Sequence, residues 1–107
     1  MNRYDVHFVR LDPVEGSEMG KTRPCVILSD DLRNRIFNTL VICPLTTSLH
    51  AAWRTRLAVN CAGKPAEICV DQIRVISKSR LGRKITSLSA KDALALRLLV
   101  NEMYGEP

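Results

Sequence analysis

The chain has 107 residues, 46% of them hydrophobic and 25% charged, which leaves room for one domain with a genuine core and excludes both a second domain and a disordered chain. Sixteen Lys and Arg against 11 Asp and Glu give a net charge of +5, a balance that favours a polyanionic partner without naming one. The start Met-Asn-Arg-Tyr-Asp has no apolar leader and no apolar run is long enough to span a bilayer, so no membrane association is expected and the expected location is the cytoplasm.

Asp5 to Leu11 alternates loosely and carries Val and Phe, which predicts a first strand with Val6 and Phe8 on one face. His7 falls on the other face, expected to be partly exposed. Asp12-Pro13 breaks the run and opens the loop Gly16-Ser17-Glu18-Met19-Gly20-Lys21-Thr22-Arg23-Pro24. Two glycines, a carboxylate and two cations are thereby gathered between two apolar runs, at one end of a sheet. Pro24 holds Arg23 extended at the mouth of the second strand, and a guanidinium there suits phosphate oxygens. The plain structural alternative is that Arg23 pairs with Glu18 across the loop.

The run after Pro24 to Ser29 is continuously apolar and reads as a central strand. Cap-type residues from Ser29 to Asp31 then predict one or two helical turns before Asn38. Thr39 to Cys43 is a buried strand expected to end at Pro44, followed by the hydroxyl cluster Thr46-Thr47-Ser48. Three hydroxyls can donate to phosphate oxygens, or they can cap a turn. Leu49 to Arg54 reads as a mobile loop with the single tryptophan, Trp53, placed to stack on a base or pack on the rim.

Arg56 to Val59 predicts a short strand and Asn60 to Pro65 a turn. Ala66 to Val70 leads into Asp71-Gln72-Ile73-Arg74-Val75-Ile76, whose alternation puts Gln72 and Arg74 on one face. Asp71 is either a proton acceptor or a hydrogen-bond hub. From Arg74 to Lys91 there are six cations and no carboxylate, which fits a phosphate-following stripe or a solvated edge that discourages strand pairing. Ser89 with Asp92 three residues on opens a C-terminal helix, Leu88 and Ala93 fit a hydrophobic staple, and Gly105 stands at its stop. The four cysteines, Cys25, Cys43, Cys61 and Cys69, include no Cys-x-x-Cys pair and are expected to be buried free thiols. With His7 and His50 as the only histidines, no metal site and no cofactor are expected.

Leu11-Asp12-Pro13 through Gly16-Ser17-Glu18 and Lys21-Thr22-Arg23-Pro24, then Cys43-Pro44-Leu45-Thr46-Thr47, then Asp71-Gln72-Ile73-Arg74 with Arg80-Leu81-Gly82, stand in an order that resembles the MazF/PemK (Kid) family of toxin endoribonucleases. The resemblance covers nearly the whole chain. It implies a mainly β fold with short helices, a small SH3-like, partly open antiparallel β-barrel of the MazF/CcdB type with a C-terminal α-helix. It further implies a homodimer that cleaves single-stranded RNA, typically mRNA, without a metal. A cognate antitoxin of the MazE/PemI kind neutralises it, and DNA is reached only through that antitoxin.

By matching position, Arg23 and Thr46 correspond to the family's catalytic arginine and threonine, and Gln72 to a residue near the substrate. In the PemK/Kid branch an aspartate acts as base with an arginine two positions earlier as acid. Asp71 matches the aspartate, but Cys69 stands where the arginine would be, so Glu18 and Asp71 both remain candidate bases. The implied reaction is attack of a ribose 2′-hydroxyl on the adjacent phosphate, leaving a 2′,3′-cyclic phosphate or a 3′-phosphate and a 5′-hydroxyl. Catalytic roles are thus expected for Arg23, Thr46 and Asp71. RNA contacts are expected from Ser17, Glu18, Lys21, Thr47, Ser48, Gln72, Arg74, Arg80, Arg83 and Lys84. Two rivals are a CcdB-like gyrase poison, against which the polar C-terminal tail speaks, and a non-catalytic RNA-binding module.

Overall fold

A computed structural model describes residues 1–106. The elements in chain order are β1 (Asp5–Arg10), β2 (Thr22–Ile27), α1 (Asp31–Ile36), β3 (Thr39–Thr46), β4 (Arg56–Cys61), β5 (Lys64–Cys69), β6 (Arg74–Ser77), β7 (Leu81–Ser87) and α2 (Ala90–Tyr104). Short 3-10 turns at Val70–Gln72 and Lys78–Arg80 bracket β6. All pairings are antiparallel, in the order β4-β5-β3-β2-β1-β7, and β6 joins the first half of β3. The expected mainly β, partly open barrel with a C-terminal helix is therefore the observed architecture.

Period-two alternation sorts the strand residues into two cores. Val6, Val26, Cys43, Leu45 and Ile68 point to one side, where α2 closes the layer with fully buried Leu96. Val9, Cys25, Ile27, Leu40 and Ile42 point to the other and pack with Leu11 and Ile76. Helix α2 begins as expected: the Ser89 hydroxyl accepts the Asp92 N–H at 3.1 Å, and Gly105 caps the far end. Leu88 packs against the same core as α2, as a staple residue should. Asp30 caps the six-residue α1 by accepting the Arg33 N–H at 2.9 Å.

Several local expectations need correction. Strand β3 does not stop at Pro44 but runs to Thr46. On one side, Pro44 falls between the part of β3 paired with β6, ending at Ile42, and the part paired with β5, beginning at Leu45. The missing N–H is tolerated at that change of partner. The turn expected over 60–65 shrinks to two residues, Ala62 and Gly63, with φ of 50° and 86°. Both values are left-handed, the condition for a tight hairpin, and glycine supplies the second without strain.

The basic stripe conceals a seventh strand, β7, which pairs with β1 through an irregular register and forms a sheet edge. Gly82 lets the two strands approach: a Cβ there would meet the Phe8 carbonyl at 2.9 Å. That approach also encloses His7, only 8% exposed instead of partly solvated, with Nδ1 3.0 Å from the Gly82 carbonyl. Among the described residues no helix is long and apolar enough to cross a membrane.

Candidate active site

Strands β1 and β2 pair from Val6 with Val26 to Arg10 with Thr22, so Arg23 stands opposite Val9 at the start of β2. On its other side β2 pairs Cys25 with Pro44; continuing that register by two residues puts Arg23 opposite Thr46, the last residue of β3. Two residues distant in sequence are thus brought side by side by strand pairing alone. Arg23 is half-buried and its Nε donates to the Gly20 carbonyl at 2.9 Å, which fixes the plane of the guanidinium. Its terminal nitrogens make no hydrogen bond among the described residues, and it forms no ion pair with Glu18. Glu18 instead accepts the Glu15 N–H at 2.7 Å within its own loop.

Thr46 is 8% exposed, and its Oγ1 accepts the Ser48 N–H at 3.1 Å. The capping role foreseen for the hydroxyl cluster is therefore real, but it uses only a lone pair and leaves the Thr46 proton available to donate. Arg23, Thr46 and Thr47 all border a cavity of about 400 Å³. Thr22, Lys64 and Cys61 share its wall with Phe8, Pro24, Leu45 and Ile85.

A second depression, of about 320 Å³, is lined by Ser17, Glu18, Met19, Pro44, Asp71, Gln72, Ile73 and Arg74. Alternation along β3 puts Thr46 on the face of Pro44, and along β2 Arg23 on the face of Cys25. Arg23 and Thr46, which border the cavity and by this alternation share the sheet face of groove residue Pro44, make up a pair here termed the saddle. Gln72 ties the groove together, its Oε1 accepting the Met19 N–H at 3.1 Å. Asp71, exposed on the 3-10 turn instead of at a strand end, lines the groove and not the cavity. The structure thus unites Arg23 with Thr46, and Glu18 with Asp71 and Gln72, as two neighbouring sets.

The segment after Ser48 is held by a polar knot that sequence reading missed. Glu67, 2% exposed, accepts the His50 N–H at 2.9 Å and the Arg56 Nη1 at 3.1 Å, and Arg56 Nη1 also donates to the Ser48 carbonyl. The Arg56 guanidinium lies 4.8 Å from the Trp53 ring centroid, and Trp53 stacks on His50 at 4.0 Å. A buried carboxylate needs such partners. Pairing of β4 with β5, Arg56 opposite Cys69 and Ala58 opposite Glu67, is what brings them together.

Most cations of the basic stripe are committed to the fold. Arg74 Nη1 donates to the Leu11 carbonyl at 3.2 Å, and Arg80 Nη1 to the carbonyls of Arg10 and Asp12 at 3.0 and 2.6 Å. Arg83 stacks on Phe8 at 4.9 Å, and Lys84 pairs with Asp5 at 3.4 Å. Ser17, Lys21 and Ser48 are exposed. Lys21 sits at φ 65°, and its carbonyl accepts the Leu11 N–H at 2.8 Å. Three cysteines are buried as expected, and burial pushes the Cys25 and Cys43 thiols up to about 12. Cys61 departs from that expectation, being only partly covered at the cavity wall.

With this geometry in place, residues 2–104 match a family described as PemK-like, MazF-like toxin of type II toxin-antitoxin system. The chain is 35% identical over 96 residues to endoribonuclease MazF of Staphylococcus saprophyticus, covering 85% of this chain and 80% of that protein. It is 34% identical over 93 residues to endoribonuclease EndoA of Bacillus subtilis, covering 82% and 80%. Its fold superposes with a TM-score of 0.87 on the crystal structure of MazF from Deinococcus radiodurans, at 19% identity over 99% of this chain and 97% of that one. A mycobacterial endoribonuclease solved with its cognate antitoxin gives 0.83 at 20% identity, covering 100% and 97%.

Proposed function

Because the chain belongs to the PemK-like, MazF-like family of type II toxins, we propose that it is an endoribonuclease acting on single-stranded RNA, and the toxin half of a toxin–antitoxin pair. The single observation that carries this reading is the meeting of Arg23 and Thr46 on one saddle at the ends of β2 and β3. The protein works as one domain in the cytoplasm, as a homodimer, and is silenced by a cognate antitoxin.

The nucleophile, a ribose 2′-hydroxyl, belongs to the substrate. Its oxygen bonds to phosphorus as the bond from phosphorus to the 5′-oxygen breaks, so the protein must orient it, take its proton, stabilise the crowded phosphorane and let the leaving 5′-oxygen regain a proton from solvent or a protonated side chain. Arg23 is already fixed through Nε, so its free terminal nitrogens meet the developing charge without rearrangement. Thr46 donates its hydroxyl proton to a non-bridging oxygen while Ser48 N–H holds the oxygen in place. A guanidinium offers donors and no acceptor, so the base is sought elsewhere. Between the two carboxylates of the groove, Glu18 is engaged by Glu15 whereas Asp71 has no side-chain partner among the described residues, so Asp71 is the freer proton acceptor.

Ser17, Lys21, Thr47, Ser48, Gln72 and Arg74 lie on the loops and walls around the saddle and contact the flanking nucleotides. Arg23→Ala is expected to lower the single-turnover cleavage rate on the order of 100-fold to 1,000-fold. The same reaction should proceed unchanged in EDTA. Cleavage by the variant at the wild-type rate, or loss on chelation with rescue by Mg²⁺, would contradict this mechanism.

A further inference from the structure

The cavity beside the saddle is larger and more apolar than a phosphate requires. At about 400 Å³ it reaches the lower part of the ~300–1,000 Å³ range of small-molecule sites. Phe8, Pro24, Leu45, Ala66 and Ile85 supply its depth, a surface suited to a flat and weakly hydrated group. Half-buried Arg23 and exposed Lys64 are the cations of its lining, which holds no carboxylate, so the charge sits toward solvent. An apolar floor under a cationic rim matches one nucleotide of a single strand, base inward and phosphates at the lip.

Resting on the nuclease reading, we propose that this cavity receives the base of a nucleotide flanking the scissile phosphate, and that Lys64 grips the next phosphate along. Lys64 is aimed by the hairpin: Cys61 and Lys64 form the last pair of the β4–β5 ladder, so their side chains share a face. The Asn60 Oδ1 accepts the Gly63 N–H at 2.8 Å and fixes the turn between them. Lys64 has no ion-pair partner among the described residues. Opposite, the Arg83 guanidinium lies 4.9 Å from the Phe8 ring centroid and backs that wall. Arg83 thus shapes the cavity instead of reaching along the strand.

Cys61 makes the proposal measurable, because it lies on the cavity wall and is the one cysteine of the four that is not buried. Brief N-ethylmaleimide treatment of the native chain at neutral pH therefore reports on Cys61. The probe is the RNA that the wild-type protein cleaves, synthesised with methylated 2′-hydroxyls so that it binds intact. Saturating probe should slow labelling by at least about tenfold if the base fills the cavity and shields the thiol. Lys64→Ala should raise KM with kcat nearly unchanged, and should reduce the slope of log affinity against log salt by about 0.7, the value for one phosphate on a single strand.

If the wild type cleaves RNA but the probe leaves Cys61 open and Lys64→Ala keeps the wild-type KM and salt slope, the inference falls and the nuclease reading stands. If an acidic peptide with apolar side chains shields Cys61 and RNA does not, the cavity belongs to a protein partner and the inference is overturned. Absence of any RNA cleavage by the wild type would remove both.

Discussion

Two cationic regions of the molecule look alike in sequence and differ in structure. At the saddle, Arg23 uses one nitrogen to fix itself on Gly20 and keeps its terminal nitrogens free. Beside β7, Arg80 gives its Nη1 to the backbone carbonyls of Arg10 and Asp12, and Lys84 is drawn to buried Asp5. Net charge counts both regions equally. What separates them is which nitrogen the fold engages: Nε in Arg23, which leaves both terminal nitrogens free, but a terminal nitrogen in Arg80 and the ammonium itself in Lys84, and only an unsatisfied, pre-positioned donor can gain strength as charge develops on a substrate.

The comparison can be broken by substitution, and the largest effect should fall at the saddle. Arg23→Ala should remove most of the cleavage activity while leaving thermal stability little changed, because Arg23 loses only one local hydrogen bond to the fold. Arg80→Ala should show the opposite signature. It removes two hydrogen bonds to exposed carbonyls at and just beyond the end of β1, so unfolding in urea should reveal a loss of about 0.5–1.5 kcal/mol, with the cleavage rate of the folded protein nearly preserved. A large rate loss without destabilisation would return Arg80 to the RNA-binding set.

The smallest effect belongs to Lys84, half exposed in its pair with Asp5, whose removal should cost ~0–1 kcal/mol. Asp5 carries more weight. Burial opposes its charge, but the Asn2 N–H, the Ser87 hydroxyl and Lys84 together hold the carboxyl below its usual value. A carboxyl lowered on folding adds stability that is complete above the ordinary carboxylate value and disappears as pH falls through the lowered one. Melting curves should therefore show an acid-side loss of stability that is reduced in Asp5→Asn.

What was legible in the sequence was local. The caps at Asp30 and Ser89 and the stop at Gly105 are decided within four residues, and the loop from Gly16 to Pro24 announces itself by composition. Arg23 and Thr46 were legible through the family's motifs, although their adjacency comes from β2–β3 register. Elements decided by long-range pairing were hidden. Strand β7 was masked by its own charges, which suit a sheet edge. The hairpin at Ala62-Gly63 lacks the Asn or Asp that usually marks such a turn, so the strands on either side looked too short and Lys64 stayed unnoticed. Glu67 and Arg56 could have been suspected only as opposite charges in adjoining apolar runs. The separation of Asp71 from the saddle depends on a 3-10 turn that alternation made look like a strand.

The central claim is that Arg23 and Thr46 act together on one phosphodiester, and a double-mutant cycle on single-turnover cleavage tests it most directly. Groups serving the same transition-state charge are strongly non-additive. The account predicts that Arg23→Ala and Thr46→Ala each impair cleavage severely, and that the double variant is only slightly worse than the poorer single one. Losses that simply multiply, or a single variant that cleaves as fast as the wild type, would contradict it.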